Sequence, residues 1–156
     1  MLVVFSDLDG TILDHDTYSP AAARPGLLLL EQKNIPLVPA SSKTFDEMCG
    51  IVLEIRAHGP FIFENGGGIA YPEKEGFRIH AMGSGIEDLS EGLGILRSLI
   101  ESPLRLVKDM DIEEIMQRTG LDEQRAEKVL SRRFSLPFIL EGPPLCHEKI
   151  MLFNQH

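Results

Sequence analysis

The sequence predicts an α/β protein, a parallel-sheet core followed by a second, smaller α/β unit. Three observations carry that expectation. Leu2 to Ser6 is an unbroken apolar run rich in Val and Phe, the texture of a strand buried on both faces inside a parallel sheet. Short apolar runs then alternate with helix-patterned segments, which calls for crossover connections. After Met82-Gly83-Ser84-Gly85 the chain turns helix-rich with only two short strand candidates.

Taken in order, the strand at Leu2 to Ser6 is followed by a helix from Ala21 to Lys33, with Ser19 as N-cap and Pro20 at the first helical position. Pro25 and Gly26 weaken its first turns. Ile35 to Ala40 is the second strand. Thr44-Phe45-Asp46-Glu47 is a capping box opening a helix that runs towards His58. Pro60 to Phe63 is a third strand, and the turn Gly66 to Gly68 leads into two antiparallel pieces, Ile69 to Tyr71 and Phe77 to Ala81. Beyond residue 83, helices are expected over Glu87 to Glu101, Ile112 to Arg118 and Glu123 to Arg133, with Asp111 and Asp122 as N-caps of the last two. Strands are expected at Arg105 to Val107 and Phe138 to Glu141. The expected organisation is therefore a core over residues 1–82, a second unit over 83–142 and a tail over 143–156.

With 156 residues and 43% hydrophobic content, the chain can bury a core. Its 15 Lys and Arg face 24 Asp and Glu, a net charge of -9, and the basic residues form no long cluster. Nucleic acid and anionic membrane are therefore not expected as partners. The apolar runs are too short to span a bilayer, and the first lacks the basic leader of a signal peptide, so a cytoplasmic location is expected. Cys49 and Cys146 are isolated from each other, which gives a disulfide framework or structural zinc site little support. "HEKIM" at His147 lacks the second histidine of a zinc-protease helix.

The chemistry-bearing stretch is Asp7-Leu8-Asp9-Gly10-Thr11, directly behind the first strand. In an open parallel sheet ligands bind at the carboxyl ends of the strands, so both acids are expected to face the site. One carboxylate can attack phosphorus, and a second, two residues on, can protonate the leaving alkoxide and then activate water. Such chemistry gathers negative charge and calls for a hard cation, Mg²⁺. Gly10 allows a sharp turn beside a phosphate. The alternative is an Asx-type turn closing the strand. Asp14 and Asp16, further along, are expected to shape the loop that follows.

Asp7-Leu8-Asp9-Gly10-Thr11 resembles the first motif of the haloacid dehalogenase-type phosphatases, and Ser41, ending the second strand, resembles their second motif. The resemblance implies Asp7 as nucleophile, Asp9 as general acid/base, Mg²⁺ on the Asp7 carboxylate and the Asp9 carbonyl, and the Ser41 hydroxyl on the phosphoryl oxygens. Read alone, Ser41 is equally a capping residue. "LDHDTYS", "SSKT" at Ser41-Ser42-Lys43-Thr44, "PFIFENGGGIAYP" and "TGLDEQRAEKVLSRRFSLPF" together are similar to the mannosyl-3-phosphoglycerate phosphatase family, a branch with an α/β cap inserted into a haloacid dehalogenase-like Rossmannoid core. That resemblance implies hydrolysis of mannosyl-3-phosphoglycerate, with glucosyl-3-phosphoglycerate or a sugar phosphate as alternatives; the partner is then a small phosphorylated sugar acid.

Carried onto this chain, the resemblance places Lys43 at the anionic substrate and Glu64, Asn65, Gly66 and Gly67 in a substrate loop. Asn65 can donate and accept, and consecutive glycines leave backbone N–H groups accessible. The competing readings are a solvated lysine and a plain hairpin turn. Arg132 and Ser135 match a cap segment in which arginine can clamp a carboxylate or phosphate. Arg133 and Leu136 stand where the family is expected to have acids.

The family's pattern continues with a third-motif lysine and fourth-motif acids that have no counterpart between Gly142 and His156, where Lys149 is only a distant candidate. The sheet core is thus expected to be incomplete, with weakened Mg²⁺ binding and a homo-oligomer covering the open edge. A catalytically impaired chain that binds a sugar acid or a partner is the competing functional class.

Overall fold

The computed structural model describes residues 2–100 and 102–142. The tail proposed over 143–156, with Cys146, His147 and Lys149, lies outside them. The chain divides into two compact units, Met1–Gly83 and Ser84–His156.

In the first unit β1 (Val4–Asp7), α1 (Arg24–Gln32), β2 (Leu37–Ala40), α2 (Phe45–Glu54), β3 (Phe61–Phe63), β4 (Gly68–Pro72) and β5 (Phe77–Ala81) follow one another. They build one sheet in the order β1-β2-β3-β4-β5. The first three strands run parallel, with Asp7 opposite Ala40 and Ala40 opposite Ile62, so three strand ends are level. β4 and β5 then add as antiparallel hairpin strands. Pro39 offers no N–H, and the β2–β3 contact is correspondingly short, extended by a bond from the Ser41 N–H to the Ile62 carbonyl at 3.1 Å.

The alternation of strand and helix is as expected, but among the described residues β1 is an edge strand, with Phe5 and the preceding Leu2 exposed, rather than a strand buried on both faces, and two helix ends differ from expectation. Ser19 is not the N-cap of α1, nor is Pro20 its first residue: the helix begins at Arg24, after Ala23, which makes no side-chain cap. Pro25 then falls at the second helical position, where a missing N–H costs nothing because the first four are orphans anyway. Likewise α2 stops at Glu54 rather than running towards His58. Arg56 takes a left-handed conformation (φ 57) while its N–H bonds to Leu53 O and that of Ala57 to Val52 O, a Schellman ending. The capping box at the front of α2 is present in both halves. The Thr44 hydroxyl accepts from the Glu47 N–H at 3.3 Å, and Glu47 Oε2 accepts from the Thr44 N–H at 2.8 Å.

The core of this unit holds Leu8, Leu13, Val38, Met48, Val52, Phe61 and Phe63. Phe45 brings α2 onto the sheet, with its ring centroid 5.6 Å from that of Phe63 and 5.8 Å from those of Phe61 and Phe77. Gly68, buried opposite Phe63, is demanded by that packing, because a Cβ there would lie 2.3 Å from the tip of the Phe63 ring.

The second unit contains α3 (Ile86–Leu99), β6 (Leu104–Leu106), α4 (Ile112–Thr119), α5 (Glu123–Val129) and β7 (Phe138–Leu140), with β6 and β7 paired antiparallel. Asp111 and Asp122 cap α4 and α5 as expected, accepting from the Glu114 and Arg125 N–H groups at 2.7 and 2.9 Å. Gly120 closes α4 with φ 72. The last helix ends at Val129, not at Arg133, and residues 131–137 continue as irregular chain into β7. Met110, Ile115 and Ala126 form the core, with Val107, Val129 and Ile139 packed on it. No helix among the described residues is long and apolar enough to cross a membrane.

Candidate active site

Asp7 is the last residue of β1, and Leu8, fully buried, anchors the turn behind it. The Leu8 carbonyl accepts from the N–H groups of Thr11, Ile12 and Leu13 at 3.1, 3.0 and 2.8 Å, and Gly10 turns the chain at φ 72 while its N–H bonds to Leu13 O at 2.8 Å. That tight turn holds Asp7 and Asp9 on either side of the buried leucine. Gly10 and Thr11 therefore build the turn. Local sequence dictates it, since a residue with a Cβ is strained at Gly10's conformation.

Both acids open onto a cleft of about 450 Å³ at the carboxyl ends of the parallel strands. Its walls are Asp7 and Asp9 from β1, Ala40, Ser41 and Ser42 from β2, and Ile62, Asn65 and Gly66 from β3 and the loop behind it. Ser41 is 7% exposed, and its hydroxyl accepts from the Lys43 N–H at 3.3 Å. Thr44, not Ser41, caps α2, so the Ser41 side chain is left at the cleft wall.

The loop after β3 is pinned to the loop after β2 by backbone bonds: the Glu64 N–H to Lys43 O at 2.9 Å, and the Asn65 N–H to Ser41 O at 3.0 Å. Glu64, Asn65 and Gly66 all take positive φ (50, 57 and 91), a run of left-handed residues that only fixed surroundings sustain. Glu64 is 2% exposed. The segment is thus a hairpin turn and a cleft wall at once. Gly67 does not offer the accessible N–H expected of it; it is buried, donates to Glu64 O at 3.0 Å and accepts from Met82 and Gly83. Asn65 and Gly66 are the loop residues that reach the cleft.

Lys43 is not a solvated lysine. Its ammonium donates to both carboxylate oxygens of Asp9, at 2.7 and 2.8 Å, with only 15% of the side chain exposed. The Tyr18 ring lies over the same nitrogen, 5.4 Å from centroid to Nζ. The sequence marks Tyr18 only as an aromatic residue in an acidic loop. That loop is shaped by Asp14, whose Oδ1 accepts from Asp16 N, Thr17 N and the Thr17 hydroxyl. The Thr17 bonds, backbone first, hold the Asp14 carboxyl below its ordinary pKa.

Arg132 and Ser135 belong to the second unit, where Arg132 Nη1 donates to Ser135 Oγ at 3.0 Å beside a small cleft that Lys108 also lines.

Among the described residues no group of three or more His, Cys, Asp or Glu could hold a metal ion. The first unit offers hard oxygens at the cleft wall, the Asp7 carboxylate foremost, since Lys43 covers both Asp9 carboxylate oxygens. A set of that kind fits Mg²⁺, which keeps several waters and takes one or two carboxylates with substrate phosphate oxygens.

The sequence pattern of the haloacid dehalogenase-like hydrolase family matches residues 4–92, which include both cleft acids and every strand of the first unit. The chain belongs to the haloacid dehalogenase-like hydrolases. It is 38% identical over 152 residues to a glucosyl-3-phosphoglycerate/mannosyl-3-phosphoglycerate phosphatase of Methanococcoides burtonii, covering 89% of this chain and 56% of that protein. A relative of the same name from Persephonella marina is 38% identical over 149 residues, covering 90% and 55%. The chain thus spans about half the length of these curated relatives. In fold it resembles a Thermoplasma acidophilum crystal structure (TM-score 0.60, 17% identity, 99% of this chain and 56% of that one). A haloacid dehalogenase-like hydrolase from Bacteroides thetaiotaomicron is similar too (TM-score 0.56, 18% identity, 99% and 62%).

Proposed function

We propose that this protein hydrolyses a phosphate monoester with Mg²⁺, converting mannosyl-3-phosphoglycerate to mannosylglycerate and phosphate, with glucosyl-3-phosphoglycerate as the alternative substrate. The observation that carries the reading is the convergence of Asp7, Asp9 and Ser41 on one cleft at the level ends of three parallel strands. The names of the two relatives support the substrate class.

An Asp7 carboxylate oxygen attacks phosphorus, the bond from phosphorus to the leaving oxygen breaks, and Asp9, protonated for this step and keeping only one oxygen on Lys43, delivers its proton to that alkoxide. Water then attacks the aspartyl-phosphate, Asp9 takes up its proton, and phosphate leaves with the Asp7 carboxylate restored. The Ser41 hydroxyl donates to a phosphoryl oxygen, and Asn65 orients the glycerate or sugar hydroxyls. Held by the Asp7 carboxylate and the Asp9 carbonyl, Mg²⁺ supplies the positive charge that lets a carboxylate approach a phosphate dianion. Within the same proposal, Arg132 and Ser135 of the second unit are anion-recognition residues, the guanidinium being suited to clamp a carboxylate or phosphate.

A second reading, binding without turnover, is favoured by the two-oxygen donor set. Incubation with Mg²⁺ and each glycosyl-3-phosphoglycerate, following phosphate release beside calorimetric binding, separates the two. Release supports hydrolysis, whereas binding with no release supports the second reading.

A further inference from the structure

Tyr18 lies outside the cleft wall, yet its loop is built with unusual care. Asp14 gathers three donors on one oxygen, Asp14 N–H bonds to Ser19 O and Tyr18 N–H to Asp14 O, both at 3.0 Å, and Tyr18 itself is held at φ 54. A bulky residue with positive φ is uncommon and persists where its surroundings fix it. What the strained backbone achieves is the placement of the ring over Lys43 Nζ at 5.4 Å, within cation–π range.

Lys43 is fixed at its other end as well, by its N–H on the Ser41 hydroxyl and its carbonyl under the Glu64 N–H. Its four-carbon stem is otherwise flexible, and its ammonium has three donors and strong affinity for water. With two donors engaged by Asp9 and the ring beside the nitrogen, the ammonium can neither swing away nor rotate far.

We propose that Tyr18 is a positioning residue for Asp9, acting through Lys43: the ring holds the ammonium, and the ammonium holds both carboxylate oxygens in one plane beside the cleft. For what Asp9 does, this rests on the phosphatase reading; for how Asp9 is held, it rests on the contacts alone. A general acid and base must meet two different oxygens in successive steps, so displacement by about 1 Å can lower the rate by up to about a hundredfold. The range known for cation–π contacts corresponds to a fall in kcat of about twofold to thirtyfold on losing the ring.

The test uses the full chain and two readouts. Without substrate, each lysine's rate of acetylation by acetic anhydride is followed by mass spectrometry, with the exposed Lys33 and Lys74 as internal references. Lys43 is expected to react slowly in the wild type, faster in Tyr18→Ala and in Tyr18→Leu, and at the wild-type rate in Tyr18→Phe, which keeps the aromatic face. Wild-type protection in Tyr18→Ala, or full protection restored by Leu, overturns the proposal. With substrate, Tyr18→Ala is expected to lower kcat while KM stays within about twofold, and Tyr18→Phe to restore it; a change confined to KM overturns the positioning role. If the wild type releases no phosphate, the hydrolysis reading fails, and the acetylation pattern still decides whether Tyr18 holds Lys43 on Asp9.

Discussion

Gly68→Ala is expected to loosen the wall from which the Asn65 loop springs. A Cβ at this position lies 2.3, 2.7 and 3.0 Å from Cζ, Cε1 and Cε2 of Phe63, where about 3.5–4.0 Å is comfortable. The ring has nowhere to go. Phe63 is fully buried, with Phe45 at 5.6 Å and Phe61 at 6.2 Å between centroids. Overpacking of this kind costs about 1–3 kcal/mol, and the lost freedom of the unfolded glycine returns about 0.4–1 kcal/mol. The net is a destabilisation of up to about 2.6 kcal/mol, or a Tm lower by up to about 10 °C for a chain of this size. Gly50→Ala provides the matched control: it sits inside α2 with nothing within 4 Å of its built Cβ. Helix propensity there predicts a gain of up to about 1 kcal/mol from the same chemical change. Thermal unfolding followed by circular dichroism should move in opposite directions for the two variants. A Tm for Gly68→Ala at or above wild type refutes the packing argument.

Thr44→Ala should cost about 1 kcal/mol, and a double-mutant cycle with Glu47→Ala should show coupling, because the two cap each other; additive losses in urea unfolding contradict the capping box. Acid should weaken the fold through Asp14 and Glu114. Bonds from Thr17 to Asp14, and from Arg105 and then Arg118 to Glu114, hold both carboxyls below their ordinary values of 3.8 and 4.5. A depressed folded pKa contributes stability that is present above the unfolded value and lost as pH falls through the folded one. Glu114→Gln should therefore have a lower urea midpoint than wild type at pH 6 and approach it at pH 3; an equal gap at both contradicts this. Among the described residues β1 pairs only with β2, and Phe5 and Leu2 stay 66% and 63% exposed, which motivates a self-associating edge. Light scattering across micromolar concentrations should give more than a monomer mass, and a clean monomer contradicts it.

The readable parts of the chain were those fixed by near neighbours. Thr44 and Glu47, Asp111 and Asp122 meet their partners within three residues, so the helix starts that they set could be placed in advance. The strand-end position of Asp7 followed from one apolar run. Where two local signals competed, the sequence misled: Ser19-Pro20 satisfies a helix-start pattern, but Pro25 is accommodated only near a helix's beginning, which moved the start to Arg24. The end of α2 carried no local mark, since Arg56 adopts a conformation usually signalled by Gly or Asn. Least legible was the Lys43–Asp9 pair, 34 residues apart and joined only by sheet register, with Tyr18 over it. The burial of Gly67 was hidden for the same reason, because adjacent glycines look equally open until the loop closes on Glu64.

The most direct test is phosphate release from mannosyl-3-phosphoglycerate by the full chain in Mg²⁺, with Asp7→Asn assayed beside it. The predicted result is release by the wild type that is abolished in the variant, because the amide cannot form the aspartyl-phosphate. Release at an undiminished rate by Asp7→Asn contradicts Asp7 as the nucleophile and, with it, the central reading of this cleft.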